Sequence, residues 1–306
     1  MSPPDEEALR EGRVICDPTP GERVRVGDIR LSIRRRGMGR NTVLLHGGGP
    51  GCTSAADFSA VVDRIETGRQ LWLVDLAQYG ESDAPDIEGP VLEFHATALA
   101  QLIADYMAGP VDLVCQSLGG SVALLVAAHR PELVRRIVVT ASQPVSGSGP
   151  DANPGLGGLA RAKYYGGSGP TIDKMRALLG AYEWFEASAI PEHLVRHRYS
   201  ASITPRAIEL ASGFTGRGQP QDLSGQLRSV RSDVLLIWGA HDPFSTPTYA
   251  RRLADSLPSA ELAVIPGTSH HPQSERPAEY ASLVTEFLDR PIVADLAAVA
   301  RRENPR

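Results

Sequence analysis

The branched apolar run Val111-Asp112-Leu113-Val114-Cys115 passes through Gln116 and Ser117 directly into Leu118-Gly119-Gly120-Ser121-Val122-Ala123. A strand thus gives way to a helix across one tight turn, the connection found where a parallel sheet is flanked by helices. The rest of the chain agrees. β-rich runs at Arg23–Val26 and Ile29–Arg34 are joined by Gly27-Asp28, a two-residue hairpin signal, so the chain opens with an antiparallel hairpin. Runs at Thr42–Leu45, Leu71–Asp75, Val111–Cys115 and Ile137–Thr140 then alternate with helical patterns at Ala55–Ile65, Glu93–Met107 and Leu118–His129. The series resumes with Val234–Trp238, Pro247–Ser256, Ala260–Ile265 and Ala278–Asp289. Together these predict an α/β fold with an eight-stranded, mostly parallel sheet flanked by helices.

Between the two halves the texture changes. Residues Gln143 to Gly158 are rich in Ser, Gly and Pro, and short helical patterns follow to about Gly225 with no strand signal. Amphipathic spacing at Ile172–Tyr182 and Pro191–Ile203 argues for helices and against a disordered loop. The expected division is a core of residues 1–143 and 226–306, with a helical cap of residues 144–225 inserted after the sixth strand. Beyond Arg290 the pattern predicts a short amphipathic helix and a polar tail.

Composition narrows the partners. The 306 residues are 42% hydrophobic and 22% charged, ordinary globular values, and the net charge of −5 offers no basic field for nucleic acid. Apolar runs such as Val122–Ala128 are too short to span a bilayer, and the N-terminus has no basic segment leading into an apolar one. Cys16, Cys52 and Cys115 are an odd number at no metal-ligand spacing. A soluble cytoplasmic protein acting on a small molecule is expected, a homodimer by base rate, without metal or cofactor.

In a strand–turn–helix junction the serine is held up at the carboxyl end of the sheet, and its neighbours two positions away must be small. Here Cys115 stands where a glycine is usual, and Gly119 is present. A serine hydroxyl is a weak nucleophile and needs a base within hydrogen-bond reach. His270 follows the last predicted strand in Ile265-Pro266-Gly267-Thr268-Ser269-His270 and fits that role, with His271 read as a residue lining the pocket. Asp242, after the seventh strand, can accept the histidine's Nδ1–H and fix its tautomer; the alternative position after the sixth strand, Ala141-Ser142-Gln143, carries no carboxylate. The loop His46-Gly47-Gly48-Gly49-Pro50-Gly51 lacks the lysine of a phosphate-binding loop, and its glycines instead bring backbone N–H groups close to a developing oxyanion. Gly48 or Gly49 with the N–H of Leu118 should form that oxyanion hole, and His46 should brace the loop from beneath.

These motifs, with Val74-Asp75-Leu76-Ala77-Gln78-Tyr79-Gly80-Glu81-Ser82-Asp83 and Ile237-Trp238-Gly239, resemble the α/β-hydrolase superfamily from about Gly21 to Asp289, and within it the meta-cleavage product hydrolases. The resemblance implies the α/β-hydrolase fold, a Ser117–His270–Asp242 triad, and hydrolysis of a carbon–carbon bond in a 2-hydroxy-6-oxo-dienoate by Ser117 or by activated water. It further implies that Arg198, on a cap helix, binds the dienoate carboxylate. Gln116 stands where the family usually has asparagine, His271 where it has an aromatic residue, and Asp57 matches an asparagine beyond the glycine loop; all three are expected to surround the substrate. Those departures keep a second reading open, an esterase for a small acidic ester such as a monoalkyl phthalate or an enol-lactone. Ser117 excludes the carboxylate nucleophile of haloalkane dehalogenases and epoxide hydrolases. A binding module without turnover would have no use for an intact triad beside a glycine-rich oxyanion loop.

Overall fold

Alternation along the central strands sorts the core into two layers. The computed structural model describes residues 21–146, 151–212 and 216–291. Its main sheet comprises β1 (Glu22–Val26), β2 (Ile29–Gly37), β3 (Arg40–Leu45), β4 (Arg69–Val74), β6 (Val111–Gln116), β7 (Val134–Thr140), β9 (Asp233–Gly239) and β10 (Ala260–Ile265), in the spatial order β1-β2-β4-β3-β6-β7-β9-β10. β1 and β2 form the expected antiparallel hairpin and β2 pairs antiparallel with β4, whereas every later pairing is parallel. Val43 and Leu45, Leu113 and Cys115, Ile137 and Val139, and Leu236 and Trp238 pack with helices Val91–Tyr106, Leu118–His129 and Pro247–Ser256. Their neighbours Leu44, Val114, Val138, Leu235 and Ile237 pack on the other face with Ser54–Phe58, Val62–Ile65 and Pro277–Asp289. Both faces are covered, which is why these strands read as unbroken apolar runs. Each fully buried Leu, Ile or Val contributes about 1.5–3 kcal/mol of burial free energy.

Three local differences from the sequence expectation have physical causes. The helix expected over Ala55–Ile65 is broken at Ser59, whose Oγ donates back to the Ala56 carbonyl at 3.1 Å and competes with the next helical bond. The pattern at Ile172–Tyr182 is α-helical only to Leu178 and then widens into a π-turn over Leu179–Glu183, closed by the Trp184 N–H on the Leu179 carbonyl at 2.9 Å. A strand does lie in the region read as free of strands. β8 (Arg217–Gln219) pairs in parallel with β5 (Ile87–Pro90) as a separate two-stranded sheet. With three residues, a positive φ at Gly218 and an irregular register, β8 carries no alternation to detect. Cys16 and the tail helix expected after Arg290 fall outside the described residues, apart from Pro291.

The helices Leu156–Tyr165, Ile172–Leu178 and Glu192–Ser202 lie between β7 and β9 in the chain and share a third apolar cluster of Ala160, Tyr164, Met175, Leu178, Leu179, Trp184, Leu194 and Val195. Ala56 of the core joins that cluster and seats the insertion above the helix that follows the glycine loop. Among the described residues no helix is long and apolar enough to cross a membrane.

The turn into helix Leu118–His129 leaves no room for a side chain at Gly119. A Cβ on Gly119 would stand 2.6 Å from Leu45 Cβ, 2.7 Å from the Leu45 carbonyl and 2.9 Å from that of His46. Gly119→Ala is therefore expected to destabilise the protein by about 1–3 kcal/mol and to displace the turn, seen as a thermal midpoint lowered by several degrees together with lost activity. An unchanged midpoint and full activity would show that the junction tolerates a side chain.

Candidate active site

The carboxyl ends of β3, β6, β9 and β10 deliver the residues singled out by the sequence to one place. Ser117 follows β6 with φ +47 and ψ −111, a conformation costing a non-glycine residue on the order of 1–3 kcal/mol. Its N–H donates to the Thr140 carbonyl at 2.8 Å, and its own carbonyl accepts from Gly120 N at 2.9 Å. Both bonds hold the turn in place. Cys115 is fully buried and fills the position of the usual glycine.

His270 follows β10 and its Nδ1 lies 2.9 Å from Asp242 Oδ2, after β9. The other Asp242 oxygen accepts the Phe244 N–H at 2.8 Å, so the carboxylate has a fixed orientation. Burial by itself would lower the His270 pKa; the adjacent Asp242 carboxylate outweighs it, with Glu183 and Asp57 adding to the effect, and holds it above the ordinary histidine value. The Phe244 ring lies 4.4 Å from the imidazole, and Gln116 Nε2 donates to the His270 carbonyl at 2.8 Å.

Ser117 and His270 line one cavity of about 300 Å³, together with Gly47, Gly48, Gly49, Gln116 and His271. The glycine loop is braced from below. Leu76 N–H donates to His46 Nε2 at 2.9 Å, which leaves the ring proton on Nδ1, 2.7 Å from the Gly47 carbonyl. Above it, the Gly48 carbonyl accepts from Tyr79 Oη at 3.1 Å and from Arg161 Nη2 at 2.8 Å. Cys52 also lines the cavity, but burial pushes its thiol pKa well up and keeps it protonated at neutral pH. Among the described residues no group of three or more His, Cys, Asp or Glu is placed to hold a metal ion.

Two expected substrate ligands stand elsewhere. Asp57 is buried beneath the loop, where its Oδ2 accepts the Gly47 N–H at 2.8 Å, and it does not line the cavity. Arg198 is 1% exposed and off the cavity wall as well. Its Nη1 and Nη2 bind the two oxygens of Glu183 at 2.9 and 3.1 Å, and its Nε donates to the Pro50 carbonyl at 2.8 Å. The expectation placed both side chains around the substrate; in the structure neither lines the cavity of Ser117 and His270, and each is committed to a protein partner. Gly51 shows how closely Arg198 is packed, since a Cβ there would lie 1.8 Å from the Arg198 carbonyl oxygen.

Glu183 is the residue that sequence reasoning missed. Besides Arg198 it meets His271 Nε2 at 3.0 Å, while Gln273 Nε2 donates to His271 Nδ1 at 3.2 Å, so the His271 proton points at Glu183. Burial alone would raise the Glu183 pKa; Arg198 and His271 hold it far below the usual carboxylate range. Its only sequence signal was one acid among Tyr182, Trp184 and Phe185. The π-turn that aims it inward cannot be read from periodicity.

Comparison with known proteins agrees with this architecture. The chain is 29% identical over 292 residues to 2-hydroxymuconate semialdehyde hydrolase of Pseudomonas sp. strain CF600, covering 92% of this chain and 98% of that one. It is 29% identical over 270 residues to 2-hydroxy-6-oxononadienedioate/2-hydroxy-6-oxononatrienedioate hydrolase of Burkholderia vietnamiensis, covering 86% and 92%. Among solved structures it resembles 2-hydroxy-6-oxo-6-phenylhexa-2,4-dienoate hydrolase from Rhodococcus sp. strain RHA1, with a TM-score of 0.75, 20% identity, and coverage of 89% of this chain and 99% of that one. Residues 42–283 match the alpha/beta hydrolase family, and with the eight-stranded sheet and the strained serine turn in place, this chain belongs to that family.

Proposed function

We propose that the chain is a serine hydrolase that cleaves a carbon–carbon bond of a 2-hydroxy-6-oxo-dienoate. The observation that carries the chemistry is the cavity lined by both Ser117 and the Asp242-bound His270. Similarity to hydrolases of such dienoates over nearly the whole chain supports the substrate class. Residues 144–225 act as the cap, and with Cys52 and Cys115 both free, a reducing cytoplasmic setting suits the enzyme.

In this reading the dienol first becomes its keto tautomer, the 2-hydroxyl losing a proton as C5 gains one. His270 Nε2 takes the Ser117 proton as Oγ attacks the 6-oxo carbon, and Asp242 stabilises the imidazolium. The oxyanion is met by the Leu118 N–H at the head of its helix and by Gly48 or Gly49 N–H. Bonding of the Gly48 carbonyl to Tyr79 and Arg161 fixes the Gly48–Gly49 peptide, whose N–H points opposite to that carbonyl. As C5–C6 breaks, its electron pair passes into the 2-oxo system and the His270 imidazolium returns its proton there, releasing a 2-hydroxydienoate. Neutral His270 then takes a proton from water, which attacks the acyl carbon, and returns it to Ser117 Oγ as the carboxylic acid leaves. Gln116 and His271 complete the pocket wall.

Ser117→Ala removes only a hydroxyl, so turnover should fall at least about 10³-fold with the thermal midpoint retained. The assay is bleaching of 2-hydroxy-6-oxo-6-phenylhexa-2,4-dienoate beside a panel of small esters that includes monoalkyl phthalates. Fast ester turnover with the dienoate untouched would replace carbon–carbon cleavage by ester hydrolysis, and a fully active, folded variant would sink the nucleophile assignment or leave attack to activated water.

The raised His270 pKa fixes a sign. The base works only when neutral, and a raised pKa means the proton is lost at higher pH, so the acid limb of kcat/KM should have its midpoint above the ordinary histidine value of about 6.5. Asp242→Asn should move that limb downward and reduce kcat by about 10⁴-fold. A limb at or below the ordinary value in the wild type would contradict the pairing.

A further inference from the structure

A second cavity, also of about 300 Å³, lies beside the catalytic one and shares with it a wall of Gly49, Pro50, Cys52 and Arg161. Its lining includes four arginines whose partners differ. Arg23 pairs with Asp83, and Arg206 pairs with Asp86 and Glu209. Arg161 and Arg217 have no carboxylate partner among the described residues. Arg161 Nη2 donates to the Gly48 carbonyl, and Arg217 Nη2 lies 3.4 Å from Tyr79 Oη. Both are partly buried, and they flank Tyr79, the side chain that also holds the Gly48 carbonyl. The one acid on this wall, Glu81, is exposed.

We propose that this second cavity is the carboxylate subsite of the enzyme, with Arg161 and Arg217 as its ligands, so that the substrate's anionic end lies here while its reacting carbonyl stands at Ser117. A guanidinium has five N–H donors, and the bond to Gly48 uses one, leaving Arg161 able to bind a carboxylate in a bidentate manner. Arg198 cannot serve, because Glu183 already occupies its fork and no face of it reaches either cavity. Arg161 then links binding to chemistry: the same side chain that takes the anion fixes the peptide proposed to supply an oxyanion N–H. The acid's identity as a dienoate rests on the reaction proposed above; the preference for an anion does not.

The test compares mono-4-nitrophenyl glutarate, an anionic ester, with 4-nitrophenyl valerate, a neutral ester of matched length, alongside the phenylhexadienoate. Arg217→Gln should raise KM for the anionic ester at least tenfold more than for the neutral one. Arg161→Gln should do the same and also lower kcat on both, since the Gly48 carbonyl loses a donor. The double variant Glu183→Gln/Arg198→Gln removes both buried charges together, which spares the protein an orphaned carboxylate, and should keep the wild-type ratio between the esters. Equal losses on the two esters in the Arg161 and Arg217 variants, or loss of charge preference in the double variant, would overturn the proposal. An inert dienoate beside a charge-selective ester loss overturns the carbon–carbon reaction and supports the subsite. Glutarate binding to the Ser117→Ala protein by calorimetry gives a second readout, with affinity expected to fall at least tenfold when Arg217→Gln is added; undiminished affinity counts against the subsite.

Discussion

The strained backbone at Ser117 is the constraint on which the rest of the site depends. A φ of +47 is unfavourable for any residue with a Cβ, and it persists because the surroundings leave no alternative. The Thr140 carbonyl holds the Ser117 N–H, and Gly119 lies too close to Leu45 for any relaxation that brings a side chain inward. Two other non-glycine residues among those described share a positive φ, Gln78 after β4 and Ala141 after β7. All three follow the carboxyl ends of strands, and Ala141 lines the same cavity as Ser117 and His270. Strain is thus gathered at the edge of the sheet where the glycine loop, His270 and Asp242 converge, and the two packed layers beneath hold it there.

A second dependence runs through Glu183. Its carbonyl accepts the His270 N–H at 3.1 Å while its carboxylate holds His271 and Arg198. Close by, Glu275 accepts the N–H of Ser269 and of Phe185, both at 2.7 Å, and the Phe185 ring stacks on His241 at 4.4 Å, next to Asp242. The insertion is therefore bonded to the loop that carries His270 and stacked on the loop that carries Asp242. His270 thus takes part of its placement from the insertion, through its N–H on the Glu183 carbonyl. Breaking the buried pair from one side would leave a lone charge and cost about 3–5 kcal/mol.

Much of this was legible in the residues, and the reason lies in period and junction chemistry. Central strands such as Val111–Gln116 and Asp233–Gly239 are covered on both faces and declare themselves by continuous apolar character. Helix Leu118–His129 and strand Ala260–Ile265 begin and end where the pattern does. His46 was legible as a brace because a histidine ahead of three glycines has backbone groups on both sides to bind. What stayed hidden depends on events with no local signal: a π-turn that rotates Glu183 inward, a three-residue β8 stabilised by its pairing with Ile87–Pro90, and the partner that a buried side chain finds far along the chain.

Arg198 shows why the last of these matters most for function. A motif can specify an arginine, but whether it reads charge depends on its counter-ion, and that is a tertiary fact. With Glu183 at 2.9 and 3.1 Å, an approaching carboxylate meets a nearly neutral pair and not a cation. Displacing Glu183 would cost its carboxylate the partners Arg198 and His271 in a buried site. Arg161 has no such competitor among the described residues, lines both cavities, and already touches the loop proposed to hold the oxyanion. The subsite proposed above therefore rests on which arginine lacks a buried counter-ion, a property set by tertiary packing and not by the motif in which the arginine stands.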